Sequence, residues 1–69
     1  METILKIENA SENFGMFLMS MCVPFVFYYG DFYILNTRDM ELFSDWCHRK
    51  GVPSAQLSKM RFSLAEKEF

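Results

Sequence analysis

Cys47 and His48 stand side by side in "DWCHRKG" and are the first pair to test for chemistry. A thiolate activated by an imidazole needs the two side chains within hydrogen-bond reach. Neighbouring residues on a helix point about 100° apart and do not face each other, so Cys47 reads as helix-core packing. A zinc site takes four ligands, whereas Cys22, Cys47 and His48 supply three, without the paired spacing such sites use. Asp39 and Glu41 read as first-turn helix charges rather than as acid and base. The chain has no glycine-rich phosphate loop and no nucleophile elbow. The sequence therefore predicts a protein that is not an enzyme, with no catalytic, cofactor-binding or metal-binding residue.

Behind those residues lies an unusual amount of apolar mass. The 69 residues are 51% hydrophobic and 17% aromatic, with eight Phe, six Met, three Tyr and one Trp. A chain of this length reads as a single domain, 1–69. It buries only about 60% of the surface its unfolded form exposes, so it cannot enclose every one of those side chains. Some must lie outside, where large apolar patches mark interfaces. The expectation is a protein partner, with homodimerisation as its simplest form. Two cysteines make no disulfide framework, and "METILKIENASEN" is acidic where a secretory signal would be basic and then apolar. A cytoplasmic setting with free thiols is expected, although a Cys22–Cys47 bridge stays open. The formal net charge of −2 argues against a general polyanion binder.

The elements that must carry these residues can be read in order. "TILKIEN" alternates well enough for a short N-terminal strand over 3–8. In the segment 12–22, Phe14, Phe17, Leu18 and Met21 fall on one helical face, and Met16 and Met19 face elsewhere. Strand competes there, but unbranched Met and Leu favour helix, with Ser11 able to cap it and Pro24 to stop it. "FVFYY" and "FYILN" flank Gly30–Asp31, a Gly-X pair suited to a type II′ turn, which predicts a hairpin over 25–36. In that register Tyr29 lies opposite Phe32 and Tyr28 opposite Tyr33. One face shows Phe25, Phe27, Tyr29, Phe32 and Ile34, and the other shows Val26, Tyr28, Tyr33 and Leu35. A hairpin with one wet face would alternate with polar residues, and this one does not.

A second helix is expected over 38–50, capped by Asn36 or Thr37. Met40, Phe43, Trp46 and Cys47 form its stripe, and Gly51 ends it in a left-handed conformation. Pro53–Ser54 then opens a third helix over 54–67, with Leu57, Met60 and Leu64 on one face. The rival reading makes "MRFSL" a strand, because Met60, Phe62 and Leu64 also alternate. The fold class predicted is α+β: an aromatic hairpin on two or three helices, with the N-terminal strand beside it.

Residues 42–62, "LFSDWCHRKGVPSAQLSKMRF", resemble the helix-turn-helix motif of small DNA-binding regulators. Gly51 matches the tight turn, Cys47 the small buried residue four positions before it, and Val52 the apolar residue just after it. Leu57 and Met60 match the aliphatic anchors of the recognition helix. Arg49, Lys50, Lys59 and Arg61 occur with no acid between residues 46 and 65, which suits a phosphate backbone. The resemblance implies that Ser54, Ala55, Gln56, Ser58 and Lys59 face the groove. The same region also looks like the helix-to-strand portion of ubiquitin-like β-grasp proteins, through "DFYIL", "CHRKGVP" and "MRFSL".

Three functions stand in order. The first is a small regulatory protein, of adaptor or inhibitor type, that binds another protein through Val26, Tyr28, Tyr33 and Leu35; the bland alternative makes those four ordinary core. Tyrosine suits the first role because it offers large area with a polar end. The second is a DNA-binding regulator using Arg49, Lys50, Ser54, Gln56, Ser58, Lys59 and Arg61. The third is a single membrane span over the uncharged run 13–30, at 18 residues near the lower limit for spanning. Pro24 and the Gly30–Asp31 turn interrupt that run, so a membrane partner is not expected.

Overall fold

Strand β1, Thr3–Glu8, runs through the middle of the molecule, with Leu5 and Ile7 fully buried. The structure is a computed structural model that describes residues 3–66. Helix α1 (Glu12–Ser20) follows, then the hairpin strands β2 (Phe25–Tyr28) and β3 (Asp31–Ile34). Helix α2 (Met40–Arg49), one turn of helix α3 (Ser54–Leu57) and strand β4 (Arg61–Glu66) complete the chain. The four strands form one antiparallel sheet in the order β2-β3-β1-β4. The succession β-α-β-β-α-β with that strand order is the split βαβ, or ferredoxin-like, arrangement. The α+β class expected from the sequence is therefore the fold observed.

One face of the sheet makes the core. Leu5 and Ile7 of β1 and Phe32 and Ile34 of β3 meet Phe14 and Leu18 of α1 and Phe43 and Cys47 of α2. Each helix thus contributes a pair spaced i, i+4, the spacing that stacks two side chains on one face. Phe32 is the aromatic hub, with the rings of Phe14, Phe25 and Phe27 at 5.5, 5.5 and 4.9 Å. Val52 and Met60 close the core beneath the loops on either side of α3.

Both long helices end in the same way. After α1, Val23 N–H donates to the Leu18 carbonyl and Cys22 N–H to that of Met19. After α2, Val52 N–H donates to Cys47 and Gly51 N–H to His48. These are the paired bonds of a Schellman motif, which needs a left-handed residue just past the helix. Gly51 fills that position at φ 105, and Cys22 fills it at φ 57.

Several sequence expectations shift. The cap of α2 is Asp39, whose carboxylate accepts from the Leu42 N–H at 3.0 Å. Helix α2 therefore covers 40–49 rather than 38–50, and α1 covers 12–20 rather than 12–22. The hairpin turns at Tyr29–Gly30, both with positive φ (51 and 82), which is the type I′ signature rather than the expected type II′ at Gly30–Asp31. Tyr28 thus pairs with Asp31 and Phe27 with Phe32. That slip of two leaves every strand side chain on its expected face, because strand side chains alternate with period two; only Tyr29 leaves the sheet.

The largest correction is the third helix. It stops after Leu57, and Arg61–Glu66 pairs with all of β1, from Glu8↔Arg61 to Thr3↔Glu66. The alternation of Met60, Phe62 and Leu64 prevails over the helical stripe, because β1 offers a complete free edge and long-range pairing overrides a weak local preference. Position 67 of the expected helix lies outside the described residues.

Candidate interaction surfaces

Alternation along the ladder divides the sheet. Leu5, Ile7, Phe32, Ile34 and Phe62 face the helices. Ile4, Lys6, Glu8, Val26, Tyr28, Asp31, Tyr33, Leu35 and Arg61 fall on the opposite face, by the registers Lys6↔Tyr33, Val26↔Tyr33 and Glu8↔Arg61. All three helices pack on the first face, through Phe14, Leu18, Phe43, Cys47 and Leu57. The four residues expected to bind a partner therefore lie together on this face, open in the sense that none of the described helices packs on it, although Ile4 within it is buried. Val26, Tyr33 and Leu35 are half-buried there and Tyr28 is exposed.

The electrostatics of that face are balanced. The Lys6 ammonium lies 5.9 Å from the centre of the Tyr33 ring, 3.6 Å from Glu8 and 3.8 Å from Asp31. Tyr33 first, and then Glu8 and Asp31, raise its pKa above the ordinary lysine value. Two cations, Lys6 and Arg61, thus share the face with two anions, Glu8 and Asp31. Such a surface offers aromatic area and matched charges rather than a positive field.

A second surface runs along the β2 edge and the outer side of α1. Met16, Met19 and Phe27 are 70, 69 and 60% exposed, and Tyr29 at the hairpin tip is 87% exposed. Met16, Met19 and Phe27, together with Gly15, Phe25 and Phe32, surround a groove of about 570 Å³ between α1 and β2. A bulky residue at positive φ is a backbone outlier, and strained residues of this kind cluster at functional sites. Sequence reasoning missed Tyr29, which it placed in the strand among the core-facing aromatics. The signal was present in Tyr29–Gly30, since an X-Gly pair suits a type I′ turn as well as Gly-X suits a II′ turn. Met16 and Met19, by contrast, were already off the apolar stripe by spacing alone.

The nucleic-acid set runs from the end of α2 through α3 to the start of β4. Arg49 pairs with Asp45 at 3.1 Å on α2, and Lys50 follows it. Ser54 and Gln56 lie on the single turn of α3, and Gln56 donates to the Ser11 hydroxyl at 2.9 Å, tying α3 to the start of α1. Ser58 and Lys59 lie between α3 and β4, and Arg61 opens β4.

Cys47 is fully buried, which pushes its thiol up to about 12, while His48 is exposed. Both cysteines are free thiols. Among the described residues no three His, Cys, Asp or Glu side chains converge as metal ligands, and no helix is long and apolar enough to cross a membrane. No family model, curated protein or solved structure matches the chain.

Proposed function

We propose that this chain is a non-enzymatic regulatory protein of the cytoplasm that works as a homodimer and binds a further protein, as an adaptor or inhibitor, through the open face of its sheet. The observation that carries this reading is the gathering of Val26, Tyr28, Tyr33 and Leu35 on the face opposite all three helices. Two tyrosines flanked by aliphatic side chains supply the rigid, amphipathic area that dominates interface energies. The equal numbers of cations and anions favour a protein over a polyanion, whose binding rests on neutralising successive phosphates.

The test is a photo-crosslinking amino acid placed at Tyr28, and in parallel at Asp45 on the exposed side of α2, in cells that make the protein. A single adduct formed from position 28 and not from 45 identifies the partner. Tyr33→Ala should then weaken binding to that purified protein by about 2 kcal/mol or more, with the circular dichroism unchanged. Equal adducts from both positions would overturn the reading. So would retention on mixed-sequence duplex DNA at low salt that falls steeply as salt rises, and that second outcome would favour DNA binding.

A further inference from the structure

Strand β2 pairs with β3 along one side only, and among the described residues nothing pairs its other side. Which backbone groups are free follows from the turn. In a two-residue hairpin the flanking pair, Tyr28 and Asp31, exchanges hydrogen bonds, and bonded pairs then recur every second residue. The bond from Leu35 N–H to the Pro24 carbonyl, at 3.1 Å, falls on that same repeat. Val26 and Tyr28 therefore point their N–H and C=O groups at β3, while those of Phe25 and Phe27 point outward.

Natural proteins blunt such edges with charge, proline or bulges. The opposite edge, β4, carries Arg61 and Glu66. Strand β2 is "FVFY", without a charge, and it borders the groove where Met16, Met19 and Phe27 are most exposed. Taking about 200 Å² for each large side chain, the exposed parts of Met16, Met19, Phe27 and Tyr29 amount to roughly 570 Å². A standard interface buries about 800 Å² on each partner, so this patch supplies the larger part of what a specific dimer needs.

From these observations we infer that the β2 edge is the homodimer interface, with two copies pairing β2 against β2 about a two-fold axis at Val26 to form one continuous eight-stranded sheet. An antiparallel strand meeting its own copy is self-complementary, as two-fold symmetry requires. Phe25 of one copy exchanges both backbone bonds with Phe27 of the other, and the reverse pair repeats this, which satisfies all the outward groups. Their side chains emerge on the helix side, so each Phe27 packs on Met16 and Met19 of the second copy and closes its groove. The open face stays free and becomes twice as large. This names the interface for the homodimer proposed above, and it uses different residues from the partner-binding face.

Light scattering behind size exclusion tests it over a range of concentrations, together with hydrogen exchange read at individual backbone amides. The wild type should run as a dimer, and the Phe25 and Phe27 amides should be protected in proportion to the dimer fraction. Phe27→Lys and Met19→Lys should each shift the chain to monomer by at least tenfold in dissociation constant, while Tyr33→Ala should leave the dimer intact. If Phe27→Lys fails to fold, the wild-type amides still decide the matter: unprotected Phe25 and Phe27 N–H groups in a dimer would overturn the interface. A dimer that survives both lysine variants and is lost in Tyr33→Ala would place the contact on the open face and overturn this inference. A wild type monomeric at every concentration would overturn it as well, and the cross-linking test at Tyr28 would still judge the open face on its own.

Discussion

In the first half of the chain, β1–α1–β2, the helix hangs on Phe14 and Leu18; in the second, β3–α2–β4, it hangs on Phe43 and Cys47. Both pairs are spaced i, i+4, both are buried, and both helices end in a Schellman motif. The outward sides differ. Helix α2 shows Leu42 at 66% exposure, but it stands among the exposed charges and polar groups of Glu41, Asp45, His48 and Arg49, with Asp45 and Arg49 joined as an i, i+4 ion pair. Helix α1 shows Met16 and Met19, and beyond Glu12 it carries no charge. The edge strands repeat the contrast, since β4 carries Arg61 and Glu66 where β2 carries no charge. Architecture alone needs only the inward pairs, as the second half demonstrates. The apolar outer side of the first half is therefore surplus to folding, and surplus exposed apolar area is what an interface consists of.

The sharpest way to break that contrast is to separate inward from outward on α1 itself. Leu18→Ala should cost about 3 kcal/mol, because a fully buried leucine leaves both lost transfer energy and a cavity. A domain of this size has only several kcal/mol of stability, so the urea transition should move almost to zero denaturant. Met19→Lys, one residue further along, should cost less than about 0.5 kcal/mol in dilute, monomeric protein. Equal losses from the two variants would mean that Met19 belongs to the core, and the argument for a surplus would fall with it.

The second anchor pair carries a feature that the first lacks. Burial raises the Cys47 thiol from an ordinary 9.0 to about 12. The sign follows from linkage: a folded state that holds its proton more tightly is stabilised below the unfolded pKa and loses that stability as pH rises toward the folded one. Between pH 9 and 11 the unfolded chain ionises Cys47 while the native chain does not, so unfolding gains about 1 kcal/mol by pH 10. Tyrosines and lysines also titrate in this range, so the measurement is a difference between wild type and Cys47→Ala. The wild type's urea midpoint should fall more steeply with pH from 9 to 11 than the variant's. Parallel slopes would show that the thiol is open to water.

How far these features could be read beforehand depended on their range in the sequence. Helix α2 was legible from its stripe, from its charges and from Gly51, which are all local. The faces of the hairpin were legible too, because a slip of two residues preserves them. The turn itself was not, since "YYGD" satisfies two turn types and the packing of Phe27 against Phe32 chooses between them. Strand β4 was illegible for a stronger reason. "MRFSL" fits two periods, and what selects the strand is the empty edge of β1, more than fifty residues away in the sequence. The four open-face residues were found by alternation alone, whereas the β2 edge needed the strand order, which no local pattern contains.

The smallest effect tests whether the two helix ends are equivalent. Both need a left-handed residue, and the sequence supplies glycine at one end and cysteine at the other. Left-handed backbone costs a residue with a Cβ about 1 kcal/mol or somewhat more, and glycine avoids that cost at the expense of greater freedom in the unfolded chain. Nothing lies within 4 Å of where a Cβ on Gly51 would sit, so Gly51→Ala is a purely conformational change. It should destabilise by about 1 kcal/mol. Cys22→Gly should act in the opposite direction and by less, about 0.5 kcal/mol of added stability, since relief of strain is partly offset by entropy. Urea midpoints of the two variants measured side by side decide the question. Opposite signs would show that the α1 end tolerates strain which the α2 end avoids. A loss of stability in Cys22→Gly would mean that the exposed thiol side chain contributes packing at the α1 end, and the two ends would then differ in contacts rather than in backbone.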